Sequence, residues 1–332
     1  MPKVILLFRK SLNERKSIER VFEPFLALDY IDKRILPYDL NSILNIFKIA
    51  LYLGRIRSNF IHITGDIHFA ALFLFWKKII ITVHDCNHYE KLNGFKKKLF
   101  GLLWYRLPLK FAKRIVAISP FTKSQLIQYF NIPEEKILLI PNAVLYKPVR
   151  HKAIPSNISK TFKILVIGTK KNKNLERLII ATSELTDIQL DIVGRLPDNL
   201  SSQLKSSNTP FFNSWDISNE ELSRKYLMSD VLFFASINEG FGLPIIEAQA
   251  HQLPVITSKI SSMPFVAGKG AVFVDPYSSS EIRDAIVNLK VKPQLRNQLK
   301  EDGLANLKRF SLDMHMKKYN DLYKDTFNID VG

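Results

Sequence analysis

Val231-Leu-Phe-Phe-Ala235, followed after three residues by Glu239-Gly-Phe-Gly-Leu-Pro-Ile-Ile-Glu247, is the stretch from which the rest of the chain is read. The continuous apolar run has the pattern of a strand buried on both faces, and Gly240 and Gly242 punctuate its end. Pro244 suits the start of a helix, where its missing N–H costs nothing. Loop glycines let backbone approach a ligand closely, and the free N–H groups of a helix start favour an anion such as phosphate. Glu239 before the turn and Glu247, expected in the first helical turn, could both accept hydrogen bonds from hydroxyls of one bound molecule, as on a sugar or ribose. On spacing alone a plainer reading stays open, in which Glu247 complements the helix dipole and the glycines only make a turn.

Outward from this stretch the same pattern recurs. Short apolar runs at 3–8, 60–63, 79–83, 115–118 and 137–140, with helix-like segments between most of them, predict a mostly parallel sheet covered on both faces. A first helix is expected from Ser17, with Ile18, Val21, Phe22 and Phe25 at helical spacing. The segment 147–160, with Pro148, Pro155, Ser156 and Ser159, reads as a linker. The alternation restarts at 163–167 and continues at 188–193, 210–212, 254–257 and 271–274, and the chain ends in an amphipathic segment, 312–323. Three regions follow: 1–150, 151–311 and 312–332. In such sheets ligands sit beyond the carboxyl ends of the strands.

Those strand exits hold the chemistry. His84-Asp85 follows one strand and Thr64-Gly-Asp66-Ile-His68 another; a histidine there titrates near neutral pH and can serve an active crevice, although position alone favours a structural one bonded to Asp85 or to backbone. Ala117-Ile-Ser119 leads into a helix. In the second half, Gly168 ends a strand and Thr169-Lys-Lys171-Asn-Lys173-Asn174 precedes a helix, an arrangement that can neutralise a diphosphate leaving group. Gly194-Arg195 ends the next strand.

The net charge is +17 over 332 residues, and it is lopsided. Residues 1–150 carry 25 Lys/Arg against 11 Asp/Glu, whereas 151–332 carry 23 against 20, so an anionic partner is expected on the first half. Lys91 to Arg114 has eight basic residues, no acid, and Phe95, Phe100, Trp104, Tyr105 and Phe111 interleaved. That mixture suits an anionic membrane surface, with nucleic acid or a solvated core helix as the other readings. One cysteine, Cys86, excludes an internal disulfide and a cysteine-based metal cluster and suits the cytoplasm. No signal peptide is read at the start, and the longest apolar run, 69–76, is too short to span a bilayer. The absence of GxGxxG and of a Walker motif leaves a nicotinamide enzyme or P-loop NTPase unsupported.

Taken together, these motifs resemble one family, the retaining, glycogen-synthase-like glycosyltransferases of family 4, group 1. Glu239 to Glu247 resembles its E-x7-E element, Gly168 with Lys173-Asn174 its donor-phosphate loop, Thr82-Val-His84-Asp85 its active-site histidine, and Ala117-Ile-Ser119 with 137–144 the last elements of its acceptor domain. The resemblance implies the α/β GT-B fold: two Rossmann-like parallel-sheet domains facing a cleft, with the C-terminal helix crossing back to the first. It implies metal-independent, retaining transfer from a UDP-, GDP-, ADP- or dTDP-sugar to a glycan or lipid-linked acceptor, as in bacterial cell-surface polysaccharide synthesis. Glu239 would hold the transferred sugar, Glu247 the ribose, and His84 the donor sugar near its anomeric carbon. Gly240, Phe241, Gly242 and Leu243 would bind phosphate through backbone, and Lys173 would stabilise the departing diphosphate.

This chain departs from the family pattern in two places. The phosphate loop lacks the usual arginine, so Lys170, Lys171 or Arg195 would substitute. The glycine-rich loop after the first strand is replaced by Arg9-Lys10-Ser11, so Arg9 and Lys10, with Asp85 and Ser119, are expected on the acceptor side. A nucleotide-sugar epimerase on the same scaffold and a basic nucleic-acid-binding protein are the rival classes. The expected place of action is the cytoplasmic face of a membrane, reached through Lys91 to Arg114.

Overall fold

The computed structural model describes residues 3–10, 17–38, 42–146 and 161–329. The sequence-read linker 147–160 lies outside the described residues. The chain divides into two compact units, one holding residues up to Ala143 together with those from Leu312, the other Val144–Ser311. Each contains a six-stranded, all-parallel sheet. This is the α/β GT-B fold.

In the first unit the strands are β1 (Val4–Phe8), β2 (Ile31–Ile35), β3 (Phe60–Ile63), β4 (Lys78–Val83), β5 (Arg114–Ala117) and β6 (Ile137–Leu139), ordered β2-β1-β3-β4-β5-β6. β1 pairs with β2 on one side and β3 on the other, so the strand order reverses between β1 and β3. Right-handed crossovers then send the β1-to-β2 connection over one face and the later connections over the other. Ile5, Leu7, Ile61, Ile63, Ile79 and Ile81 pack with Ile49 and Leu53 of helix Ile43–Gly54, with Leu109, and with Leu126 and Phe130 of helix Pro120–Phe130.

The opposite face receives the C-terminal helix Leu312–Phe327. There His62 stands where an apolar residue would be expected. Its Nδ1 lies 2.6 Å from the Tyr323 hydroxyl and its Nε2 2.8 Å from Thr82 Oγ1, which lies 3.1 Å from the Tyr319 hydroxyl. Phe22 and Phe25 close edge-on around Tyr319, and His315 Nδ1 lies 2.7 Å from the Pro141 carbonyl. The helix expected from the final amphipathic segment thus docks on the first unit.

The second unit contains β7 (Phe162–Ile167), β8 (Ile188–Val193), β9 (Phe211–Ser214), β10 (Val231–Phe234), β11 (Val255–Ser258) and β12 (Ala271–Val274), ordered β12-β11-β10-β7-β8-β9. The reversal falls between β7 and β10. Every residue of β10 is buried, as its unbroken apolar run predicts.

Two elements were not legible as apolar patterns. β2 is an edge strand paired only with β1, and its exposed Lys33, Arg34 and Ile35 give it no inward-facing run. Helix Pro293–Leu307 carries its contacts on Leu299, Gly303, Asn306 and Leu307, too few apolar side chains to show a helical period.

Candidate active site

The reversal between β7 and β10 brings two exits together. After β7, Gly168 takes φ +90°, and a Cβ there would stand 3.0 Å from Lys173 Cε, so the loop closes over the lysine stem only because no side chain intervenes. Lys173 Nζ lies 4.3 Å from the Phe234 ring centroid and donates to Glu239 Oε1 at 2.6 Å. Asn172 Nδ2 donates to the same Oε1 at 2.9 Å and to the Asn238 carbonyl at 3.1 Å. Asn174, at φ +63°, ties the loop to its neighbours by donating to the Ala235 and Pro276 carbonyls.

The Glu239 backbone is held from a third exit. After β11, Ser261 Oγ donates to the Glu239 carbonyl at 2.7 Å and accepts from Glu239 N at 3.1 Å, while Ser262 Oγ reaches the carbonyls of Glu239 and Phe241. Gly242 takes φ +109° with Ile245 and Phe234 filling the space a Cβ would need, and helix Leu243–Ala250 begins directly after it. Among the described residues the N–H groups of Phe241, Gly242 and Leu243 make no hydrogen bond. They form an anion-accepting corner beside an ammonium.

Glu247 differs from expectation. It lies in the second helical turn, the first turn contains no acid, and its Oε2 accepts from the buried Tyr226 hydroxyl at 2.8 Å. Dipole complementation is therefore not its role; a tyrosine fixes its carboxylate. Of the three candidates to replace the missing arginine, Lys170, Lys171 and Arg195 are all exposed, and the Arg195 carbonyl accepts from Thr169 Oγ1.

In the first unit the reversal between β1 and β3 is bridged by charge: Arg9 reaches Glu19 at 3.3 Å and Asp66 at 3.2 Å. Arg9 is thus already engaged by two carboxylates, whereas Lys10 is exposed. His84, just past β4, is half-buried and lies with Nε2 2.7 Å from the Thr64 carbonyl. A carbonyl can only accept, so Nε2 carries the proton and Nδ1 is left as an acceptor. Burial lowers the His84 pKa, partly offset by the Thr64 carbonyl and by Asp85 and Asp66, so the ring is neutral at physiological pH. Asp85 accepts from Asn87 N at 2.9 Å, shaping the turn after β4. Ser119 is a buried N-cap whose Oγ accepts from Thr122 N at 3.1 Å. Among the described residues no three His, Cys, Asp or Glu groups could together hold a metal ion.

Two family models divide the chain between them. The model "Glycosyltransferase Family 4" matches residues 13–144 and "Glycosyl transferases group 1" matches 150–305. The chain belongs to the family 4, group 1 glycosyltransferases. Among curated relatives, the O-antigen chain mannosyltransferase RfbU of Salmonella typhimurium is 28% identical over 223 residues, covering 64% of this chain and 61% of its own. O-antigen chain mannosyltransferase B of Escherichia coli is 26% identical over 266 residues, covering 71% and 67%. Among solved structures, Anabaena Alr3699/HepE in complex with UDP and glucose superposes with a TM-score of 0.79 at 15% identity, covering 97% of this chain and all of the other. A Rickettsia africae glycosyltransferase gives 0.74 at 20% identity, covering 99% and 100%.

Within this glycosyltransferase, four site residues escaped sequence reasoning. Asn172 lay inside the lysine-rich loop and was outweighed by its charged neighbours. Ser261, Ser262 and Tyr226 had no spacing to mark them; the one available signal was that both serines fall at a strand exit next to that of β10. The basic segment 91–114 folds as helical turns from Gly94 to Phe111, and its aromatics differ from the interfacial expectation. Trp104 stacks on Phe100 and Tyr105 on Phe130, which leaves Phe95, 77% accessible, as the largely exposed ring. Among the described residues no helix is long and apolar enough to cross a membrane.

The Gly168 geometry carries a prediction. Gly168→Ala places a side chain at φ +90° against Lys173, costing about 1–2 kcal/mol of backbone strain and moving the ammonium off Glu239. We expect a lower melting temperature together with a KM for donor raised about tenfold. A variant with wild-type KM in steady-state kinetics shows that the loop does not position Lys173.

Proposed function

We propose that this glycosyltransferase moves a hexose, with retention of configuration and without a metal, from a nucleotide-sugar donor to a glycan or lipid-linked saccharide in the synthesis of a bacterial surface polysaccharide such as O-antigen. The carrying observation is the Lys173–Glu239 pair over Phe234, beside the open N–H groups of Phe241 to Leu243. The ammonium and the helix start together suit a diphosphate, while the adjoining carboxylate suits sugar hydroxyls. Tyr226 holds Glu247 ready for a ribose. His84, neutral and with Nδ1 as acceptor, takes a hydrogen bond from a donor-sugar hydroxyl. In transfer the bond from the anomeric carbon to the diphosphate breaks and the acceptor oxygen bonds to that carbon. The acceptor proton passes to the leaving phosphate, whose charge Lys173 offsets.

Mannose is the first sugar to try, because both O-antigen relatives are named as mannosyltransferases. Those names also disfavour the epimerase alternative. Arg9 and Lys10 remain proposed on the acceptor side, Lys10 as the more available cation. The basic first unit and the Lys91 to Arg114 segment support a peripheral position at the cytoplasmic membrane face.

Thermal-shift measurements with UDP, GDP, ADP, dTDP and CMP test the donor site. One diphosphate is expected to raise the melting temperature, since a ligand at a hundred times its Kd stabilises by about 2.7 kcal/mol, and Lys173→Ala is expected to remove most of that shift. No shift with any nucleotide defeats the assignment.

A further inference from the structure

Helix Ile43–Gly54 does not have the polar outer face of an ordinary surface helix. Ser42 caps it by accepting from Asn45 N, and Ile49 and Leu53 turn inward, fully buried. Its outer face is also apolar: Leu44 is 61% accessible, Phe47 62% and Leu51 50%. These three share one helical stripe, which Arg55 continues four residues beyond Leu51. Lys48, the one charged side chain of this helix, lies exposed beside the stripe, so the apolar area is left uncovered next to a cation.

At its C-terminal end lies a cavity of about 580 Å³ lined by Lys3, Ile5, Asp32, Arg34, Tyr52, Arg55, Ile56, Arg57 and Ser58. Four cations face one carboxylate there, and that carboxylate, Asp32, is already paired with Arg34 at 3.0 Å. Lys3, Arg55 and Arg57 have no carboxylate partner among the described residues. The wall is held in place: the Lys77 ammonium donates to the carbonyls of Ile56 and Ser58, and Ser58 Oγ donates to the Lys3 carbonyl. Between Leu40 and Pro133 the acids are Asp66, Asp85 and Glu90, against fourteen Lys/Arg. Asp66 is engaged by Arg9, Asp85 by Asn87 N, and Glu90 by Gln125 and Tyr129.

We infer that helix Ile43–Gly54 and this cavity form a docking site for anionic lipid, with Leu44, Phe47 and Leu51 entering the bilayer interface and Lys3, Arg55 and Arg57 holding the lipid phosphate. The site deepens the membrane part of the proposed function and is independent of sugar transfer. Apolar area and adjoining cations reinforce each other at an interface, because insertion brings the cations to the phosphate plane. A free phosphate satisfies the cations but leaves the apolar stripe exposed, and a second copy of the chain would bring like charges together.

The test is co-sedimentation of the full chain with phosphatidylcholine vesicles, with and without phosphatidylglycerol, at low salt. Wild type is expected to prefer the anionic vesicles. Phe47→Glu with Leu51→Glu is expected to weaken that binding by more than about tenfold, and Arg55→Ala or Arg57→Ala by about fivefold each, all with an unchanged melting temperature because the side chains are exposed. Binding lost only in Lys96→Glu with Lys98→Glu and retained in these variants overturns this site while sparing the Lys91 to Arg114 surface. Inorganic phosphate or soluble glycerophosphate displacing the vesicles from the Arg55 and Arg57 cavity, with Phe47→Glu and Leu51→Glu silent, reassigns the cavity to a free anion. A change of oligomeric state in place of vesicle binding reassigns the stripe to self-association. Either result overturns the proposal. Loss of nucleotide binding in the thermal-shift screen bears on the transfer reading alone.

Discussion

Glu239→Ala is expected to lower sugar transfer by about 10²–10³-fold while leaving nucleotide diphosphate affinity undiminished. The carboxylate accepts from Lys173 and Asn172 at one oxygen, which leaves the other for a donor-sugar hydroxyl. A charged hydrogen bond strengthened in the transition state is worth about 3–4 kcal/mol by comparison with oxyanion-type donors, which sets that range. Removing Glu239 also frees Lys173 from its 2.6 Å ion pair, so the ammonium has more charge to offer a diphosphate. Lys173→Ala separates the two roles, because diphosphate affinity should then fall along with turnover. His84→Ala should lower turnover by about 10²-fold through loss of the Nδ1 acceptor. The measurements are kcat/KM with donor and acceptor, nucleotide affinity and melting temperature for each variant. Near-normal turnover in both Glu239→Ala and His84→Ala sinks the site assignment, and diphosphate affinity falling in Glu239→Ala as far as in Lys173→Ala would mean that the loop had simply collapsed.

The second large effect is on stability in acid. Burial depresses the pKa of His62 to about 3, of His68 to about 4 and of His315 to about 4, all in the first unit. Each is neutral in the fold and takes up a proton on unfolding once the pH drops below the ordinary histidine value of about 6.5. A depressed pKa in a base makes its contribution fully present above 6.5 and progressively lost down to the folded value. At pH 5.5 the three together should cost about 4 kcal/mol, a large part of a typical stability of about 5–15 kcal/mol. Denaturant melts at pH 7.5, 6.5 and 5.5 measure this. His68→Phe should flatten the profile by roughly a third, since it removes one of the three buried titrating rings and leaves a planar ring in its place. A profile unchanged between pH 7.5 and 5.5 refutes the buried-neutral assignment.

How much of this was legible beforehand depended on the range of each interaction. β10 could be read because a strand buried on both faces must be apolar throughout, and the turn after it because Gly240, Gly242 and Pro244 act locally on the backbone. β2 could not, since an edge strand with one neighbour needs no inward apolar run. Nor could the inward turn of Phe100, Trp104 and Tyr105, because a basic helix with aromatics has the same composition whichever way its rings point.

The candidate site shows the same division. Glu239, Lys173 and Gly168 in the second unit, and His84 in the first, were visible because each follows a strand, and within each parallel sheet the strand exits converge at one end. Asn172, Ser261 and Ser262, which hold Glu239 in place, were not, because their contacts span 22 to 67 residues of chain.

By itself, then, the sequence determined the α/β class, the two alternating halves and the strand ends that carry the candidate residues, since apolar period and glycine conformation are local properties. Tertiary structure alone decided that Lys173 pairs with Glu239, that Tyr226 fixes Glu247, that Arg9 is spent on Glu19 and Asp66, and that His62 receives Tyr323 from the far end of the chain. The order of strands sets which exits become neighbours, and no local pattern encodes that order.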